Sequence, residues 1–295
     1  MINKEKYVGI VCHDAGAANI IAHWLCNRKN INKYKIYVKG PAKSIFEKKF
    51  NKKLFVNNLD ELFKNIEKII TGTGWQTDFE YKAIKKAKEK KIFSIAVIDH
   101  WINYKERFIF NDSKVWPNKF WVSDKHAYLK AKKIFPLNKI DLKRNYYLPN
   151  EVKKVLATNK SKVMPKVLYI LEPIRDNWGR NINGEFQALD YFIKNIFVLN
   201  LPEKFLLCLR PHPSEKENKY KKWINKYKYK YNIKIETKKS LHRAIGEAEW
   251  VVGCQSYALV ISLKSGKRTF CSLPPWAPKS ILPFDNLVHI KNIVN

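Results

Sequence analysis

Cysteine is scarce in these 295 residues and never closely paired: Cys12, Cys26, Cys208, Cys254 and Cys271 are the five, and none stands in a C-x-x-C spacing. No His or Cys spacing suits zinc, and the pattern reads as reduced thiols lodged mostly in apolar runs rather than as a disulfide framework. No Asp-x-Asp pair occurs, which argues against a metal-dependent grip on a nucleotide diphosphate, and no Gly-x-Ser-x-Gly stretch marks a serine hydrolase. No apolar run reaches the ~18 residues of a membrane-crossing helix, and Met1 to Lys6 leads straight toward a strand without the apolar segment of a signal peptide. The expectation is a cytoplasmic protein whose chemistry uses no metal and no cofactor.

Acidic residues are also few. Asp plus Glu number 26 against 57 Lys plus Arg, a formal net charge of +31 carried mainly by lysine. Such a charge attracts polyanions: phosphorylated substrates, an anionic membrane surface, or nucleic acid. Abundant Lys and Asn with little Arg is equally the bias of an AT-rich genome, which leaves much of the charge as solvated surface. Hydrophobic residues at 45% and aromatics at 14% supply sizeable cores, and the length suits two domains.

Along the chain, short apolar runs alternate with helical segments. Tyr7 to Cys12, Lys35 to Val38, Lys68 to Thr71, Phe93 to Ile98 and Phe120 to Val122 read as strands. Between them lie helices over Ile20 to Leu25, Ser44 to Phe50, Asn58 to Ile66, Phe79 to Lys90 and Asp124 to Ile134. The pattern restarts with strands Val167 to Leu171, Phe205 to Leu209, Ile233 to Glu236, Trp250 to Val252 and Thr269 to Ser272. Helices Glu185 to Ile196, Ser240 to Ala248 and Ser256 to Lys264 alternate with them. This predicts two α/β halves, each a parallel sheet covered on both faces, with the boundary in the polar stretch around 158–162. The domains are then 1–158 and 159–295, two Rossmann-like folds facing a central cleft.

Chemistry gathers where strands end. Arg210-Pro211-His212-Pro213 closes one strand, and the two prolines aim the imidazole of His212, which can hold a phosphate; a plain loop histidine is the alternative. Gln255 and Ser256 stand at a helix start, with Tyr257 next, where free backbone N–H groups favour an anion, although Ser is also a common N-cap. His13-Asp14-Ala15-Gly16 ends the first strand and offers a carboxylate base or a helix N-cap. Asp99-His100-Trp101 with Asn103, Tyr104, Glu106 and Arg107 is a second cluster, for which a buried structural network is the alternative. Glu172-Pro173 with Arg175 and Asp176 is placed to read a sugar or a base.

Glycine motifs are incomplete. Gly72-Thr73-Gly74-Trp75-Gln76-Thr77 lacks the third glycine of a dinucleotide fingerprint, and Gly266-Lys267-Arg268 lacks a glycine at Ile261 for a P-loop. Basic and aromatic residues interleave from Tyr220 to Tyr231, as in a surface-binding segment or in a solvated helix with one aromatic face.

His212-Pro213, the helix start at Gln255-Ser256, the acidic-glycine element Asp14 to Gly16 and the tandem halves together resemble bacterial GT-B glycosyltransferases of capsule and lipopolysaccharide synthesis. The likeness is to the sialyltransferase and Kdo-transferase type that use CMP-activated acidic sugars. The resemblance implies a metal-independent transferase, cytoplasmic and peripheral at the inner membrane, acting on a glycan or lipid-linked acceptor. His212 would contact the CMP phosphate, and Ser256 the phosphate or the sugar carboxylate, with Arg210, Pro213, Gln255, Tyr257 and Glu172 around the donor. Asp14 with His13 would supply the base, Asp99 or His100 being the alternative, while Gly16, Gly74, Trp75 and Asn103 would line the acceptor side. This chain departs from the pattern in having His-Asp-Ala-Gly where two acids precede the glycine, and Gln-Ser-Tyr at the serine. A nucleotide-sugar epimerase, a polyol-phosphate transferase and a basic RNA-binding protein are the other readings.

Overall fold

An unbroken apolar run lets Tyr7–Cys12 pass through the middle of a sheet with both faces covered. Val8, Ile10 and Cys12 enter one hydrophobic cluster and Val11 the opposite one. The structure is a computed structural model and describes residues 6–74, 77–159, 164–174, 176–213 and 215–294. It divides into two compact units, 1–147 and 148–295, and the helix Tyr147–Leu156, which the residue pattern did not announce, lies almost wholly in the second.

Unit 1 contains β1 (Tyr7–Cys12), α1 (Ala15–Cys26), β2 (Tyr34–Val38), α2 (Gly40–Glu47), α3 (Leu59–Leu62), β3 (Ile66–Thr71), α4 (Phe79–Glu89) and β4 (Phe93–Val97). A small hairpin β5 (Ile109–Phe110) and β6 (Ser113–Lys114), then β7 (Lys119–Val122), α5 (Lys125–Ile134) and β8 (Lys139–Leu142), complete it. Six strands pair in parallel in the order β2-β1-β3-β4-β7-β8. The chain builds leftward from β1 to β2 and then restarts on the other side with β3. The crevice beyond the carboxyl ends of β1 and β3 is therefore a topological switch point.

Unit 2 opens with α6 (Tyr147–Leu156), which begins at the unit boundary, and continues with β9 (Lys166–Ile170), α7 (Gly184–Lys194), β10 (Leu206–Arg210) and α8 (Lys221–Tyr227). Then come β11 (Asn232–Ile235), α9 (Leu241–Glu247), β12 (Trp250–Gly253), α10 (Tyr257–Lys264), β13 (Arg268–Cys271) and β14 (Val288–His289). The order β11-β10-β9-β12-β13-β14 is parallel throughout and reverses between β9 and β12, the second switch point. Val167, Tyr169, Leu207, Leu209 and Val252 bury one face of this sheet against Leu189, Phe192 and Ile193 of α7.

Three expectations change. Asn58 to Ile66 is not one helix: Asn58 caps α3 by accepting the Glu61 N–H at 2.8 Å, but Asn65 turns left-handed at φ 60° and Ile66 already starts β3. The helix expected over Ser44 to Phe50 begins earlier, because Gly40 takes φ +52° and Pro41 suits a first turn. The basic-aromatic stretch is helical over Lys221–Tyr227 alone, where Trp223 Nε1 and Tyr227 Oη both donate to Asp190, at 2.7 and 3.2 Å, while Tyr229 beyond the helix stands exposed. Four of the five cysteines are buried and Cys26 is exposed, all of them free thiols.

Candidate active site

In unit 1 the predicted residues converge on the first switch point. Asp14 occupies the N-cap position of α1, yet its side chain does not cap; Oδ1 instead sits 2.8 Å from His13 Nδ1. The carboxylate therefore orients an imidazole rather than stabilising a helix end. His13 lies beneath Gly40, where any Cβ would stand 2.5 Å from its Nε2, so the positive φ of that glycine leaves room for the ring as well as starting α2.

Asp99 reaches the same crevice from the end of β4. Its Oδ2 would meet a Cβ on Gly16 at 1.7 Å, so the missing side chain at the start of α1 admits the carboxylate. Oδ1 is held at 2.7 Å by Arg107 Nη1, which also donates to the Thr73 carbonyl at 2.7 Å and to Thr73 Oγ1 at 2.9 Å. Arg107 Nε donates to the Ile102 carbonyl at 3.2 Å. The structural network weighed for Arg107 is what forms, and Asp99 belongs to it. His100 packs its ring 5.2 Å from that of Trp101, and Asn103 takes the left-handed φ 56° that turns the loop. Trp75 lies outside the described residues.

Glu80, which no sequence motif singles out, completes the crevice. It stands on the first turn of α4, and its Oε1 accepts the His13 backbone N–H at 2.7 Å. Burial first, and then the charge of Asp14, push its carboxyl up to about 7 against the opposing pull of that N–H.

In unit 2 the predicted donor residues fall into two places. Arg210 and His212 line a pocket of about 720 Å³ beyond the carboxyl ends of β10 and β11, with Pro211, Pro213, Lys219 and Thr237 in its wall. Such a volume accommodates a nucleotide. Arg210 Nη1 donates to the Lys239 carbonyl at 2.9 Å, and the His212 N–H donates to Glu215 Oε2 at 3.1 Å. Beneath, Lys219 Nζ bridges Glu185 at 2.5 Å and Glu215 at 2.6 Å, and Tyr220 Oη donates to Glu215 at 2.7 Å. Sequence reasoning missed this buried group, since Lys219 and Glu215 at i, i+4 look like an ordinary surface pair.

Gln255 and Ser256 do not line that pocket; they follow β12, on the other side of β9. The backbone N–H groups expected to bind a phosphate are occupied by the protein's own carboxylate. Glu172 Oε1 accepts from Cys254, Gln255 and Ser256 at 3.0, 2.7 and 2.8 Å. Ser256 Oγ caps α10 by accepting the Ala258 N–H at 3.2 Å, and Gln255 Oε1 accepts the Ile281 N–H at 3.4 Å. Tyr257 is half-buried at the first position of α10. Although Glu172 keeps some surface, its carboxyl lies deep; desolvation outweighs the three N–H donors and raises it to about 7. Among the described residues no group of three or more His, Cys, Asp or Glu side chains is arranged to hold a metal ion.

No protein-family model and no curated protein matches the sequence. Solved structures do match in fold. A UDP-GlcNAc 2-epimerase from Methanocaldococcus jannaschii, in complex with UDP-GlcNAc and UDP, superimposes with a TM-score of 0.61 at 14% identity, over 90% of this chain and 83% of that one. A UDP-GlcNAc 2-epimerase from Neisseria meningitidis, bound to UDP-GlcNAc, gives 0.58 at 11% identity, over 90% and 82%. The chain has the GT-B fold, two Rossmann-like α/β units in tandem.

Proposed function

We propose that the protein is a sugar-nucleotide enzyme, and that it transfers a sugar from a CMP-activated acidic donor, such as a nonulosonic acid or Kdo, to a surface-glycan acceptor. The observation that carries this reading is the pocket of about 720 Å³ beyond β10, where a guanidinium and an imidazole stand together at a strand end. His212 and Arg210 would hold the donor phosphate and stabilise it as it leaves, and Pro213 would fix the turn. In unit 1, Asp14 paired with His13 would take the proton of the acceptor hydroxyl, since Asp99 is already engaged by Arg107. Gly16, Gly74 and Asn103 would shape the acceptor side. Direct displacement assembled this way asks for a base and a phosphate pocket and routes no step through a cofactor.

Nucleotide binding tests the reading. CMP should raise the melting temperature, since a ligand held at 100 times its Kd adds about 2.7 kcal/mol, and His212→Ala should remove the shift. A shift with UDP alone would overturn the donor, and no shift with any nucleotide would overturn the enzyme. Because two of the fold neighbours are epimerases solved with UDP-GlcNAc, epimerisation is the second reading. An altered sugar nucleotide formed without acceptor would select it.

Among the described residues no helix is long and apolar enough to cross a membrane. The net charge of +31 supports attraction to an anionic lipid face and a lipid-linked acceptor. Cosedimentation with vesicles should rise with anionic lipid content and fall with salt; binding indifferent to both would remove the membrane from the proposal. Specific nucleic-acid recognition is not part of it, and RNA affinity without nucleotide binding would favour the RNA-binding alternative.

A further inference from the structure

Glu80 has no part in the reaction as drawn above, yet it is the most deeply placed acid of the unit 1 crevice, 2% exposed. Its Oε1 accepts the His13 N–H, while Oε2 is buried with no hydrogen-bond partner. A Cβ built on Gly74 would stand 2.8 Å from Asp14 Oδ2 and 3.1 Å from Glu80 Oε2. The two carboxyl groups therefore approach the same small space, which stays clear because residue 74 has no side chain. The groups around Glu80 are the Cys12 thiol at the end of β1, His13 and Asp14 on the turn into α1, and, farther off, Asp99 with Arg107. Among the described residues no lysine or arginine forms an ion pair with Glu80. A buried carboxylate oxygen without a donor and close to a second carboxylate is best satisfied by a proton.

We propose that Glu80 is a positioning residue and proton store for Asp14: ionised before the step, it receives through Asp14 the proton that the acceptor hydroxyl releases, and the two carboxyl groups then hold that one proton between them. This rests on the transferase reading. In the step it serves, the acceptor O–H bond breaks and its electron pair attacks the anomeric carbon of the donor. The bond from that carbon to the phosphate oxygen breaks, its electron pair leaving with the nucleotide. The proton passes to the Asp14 carboxylate and on to ionised Glu80, which later returns it to water.

Infrared titration of the full chain tests the pair without any substrate. The measurement is made in a Glu172→Gln background, so that the other carboxyl raised to about 7 is removed. A protonated-carboxyl band should persist to near-neutral pH, vanish in Glu80→Gln, and titrate at lower pH in Asp14→Asn, where the neighbouring charge is gone. No such band at neutral pH, or a midpoint unmoved by Asp14→Asn, overturns the shared proton. In a transfer assay with CMP-sugar donor, Glu80→Gln should lower kcat about 100-fold with little change in KM and flatten the rise of rate with pH. An unchanged pH profile would reduce Glu80 to a structural group. If no donor is turned over by wild-type protein, the transferase reading fails while the infrared result still decides the pair.

Discussion

Arg107→Ala should destabilise unit 1 by about 3–5 kcal/mol, the usual result of removing one partner of a buried ion pair. The guanidinium side chain is 5% exposed and the Asp99 carboxylate 17%. Truncation leaves that carboxylate facing the Gly16 backbone without a cation, and leaves the Thr73 hydroxyl and carbonyl without the donor that ties the β3 turn to the β4 loop. Urea unfolding of the full chain should show the unit 1 transition at lower denaturant, with a melting shift on the order of 10 °C. Asp99→Asn added to Arg107→Ala should recover part of the loss, because the unpaired charge is then gone and the two residues are coupled. A cost below about 1 kcal/mol would mean that the guanidinium does not hold Asp99, and Asp99 would again compete with Asp14 for the role of base.

The pairing of Asp99 with Arg107 shows where a sequence reading stops. Strands such as Tyr7–Cys12 and Lys166–Ile170 were recognisable because both their faces are buried, which writes an uninterrupted apolar run into the chain. Lys139–Leu142 and Val288–His289 were not, since edge strands half open to solvent carry mixed composition. The rule that ligands gather at the carboxyl ends of strands located His13, Asp14, Asp99, Glu172 and His212. It could not say which of them are already engaged. Glu172 was visible as a polar residue after a strand, but the three N–H groups it accepts lie 82, 83 and 84 residues away. Glu80 was hidden for a different reason: an acid in the first turn of a helix ordinarily answers the helix dipole in solvent. Only the parallel pairing of β1 with β3 turns it inward onto His13.

Glu172→Gln should stabilise unit 2 at pH 8 by roughly 3 kcal/mol and leave it nearly unchanged at pH 4.5. Burial raises the folded carboxyl from 4.5 to about 7, so at intermediate pH the folded state binds more protons than the unfolded one. Stability contributed by the neutral form is then complete below the unfolded value and is lost as pH rises through the folded value. Glutamine keeps an oxygen able to accept the N–H groups of Cys254, Gln255 and Ser256 but never ionises. Urea unfolding at the two pH values separates the contributions, and a variant no more stable than wild type at pH 8 would show that the three N–H donors outweigh desolvation. The same variant locates the donor phosphate. A phosphate bound by those N–H groups must displace a carboxylate in the wild type and a neutral amide in the variant, so CMP should bind Glu172→Gln more tightly at pH 8. A phosphate held by Arg210 and His212 sits on the other side of β9 from Ser256 and the N–H groups that Glu172 occupies, and its affinity should not respond to the change.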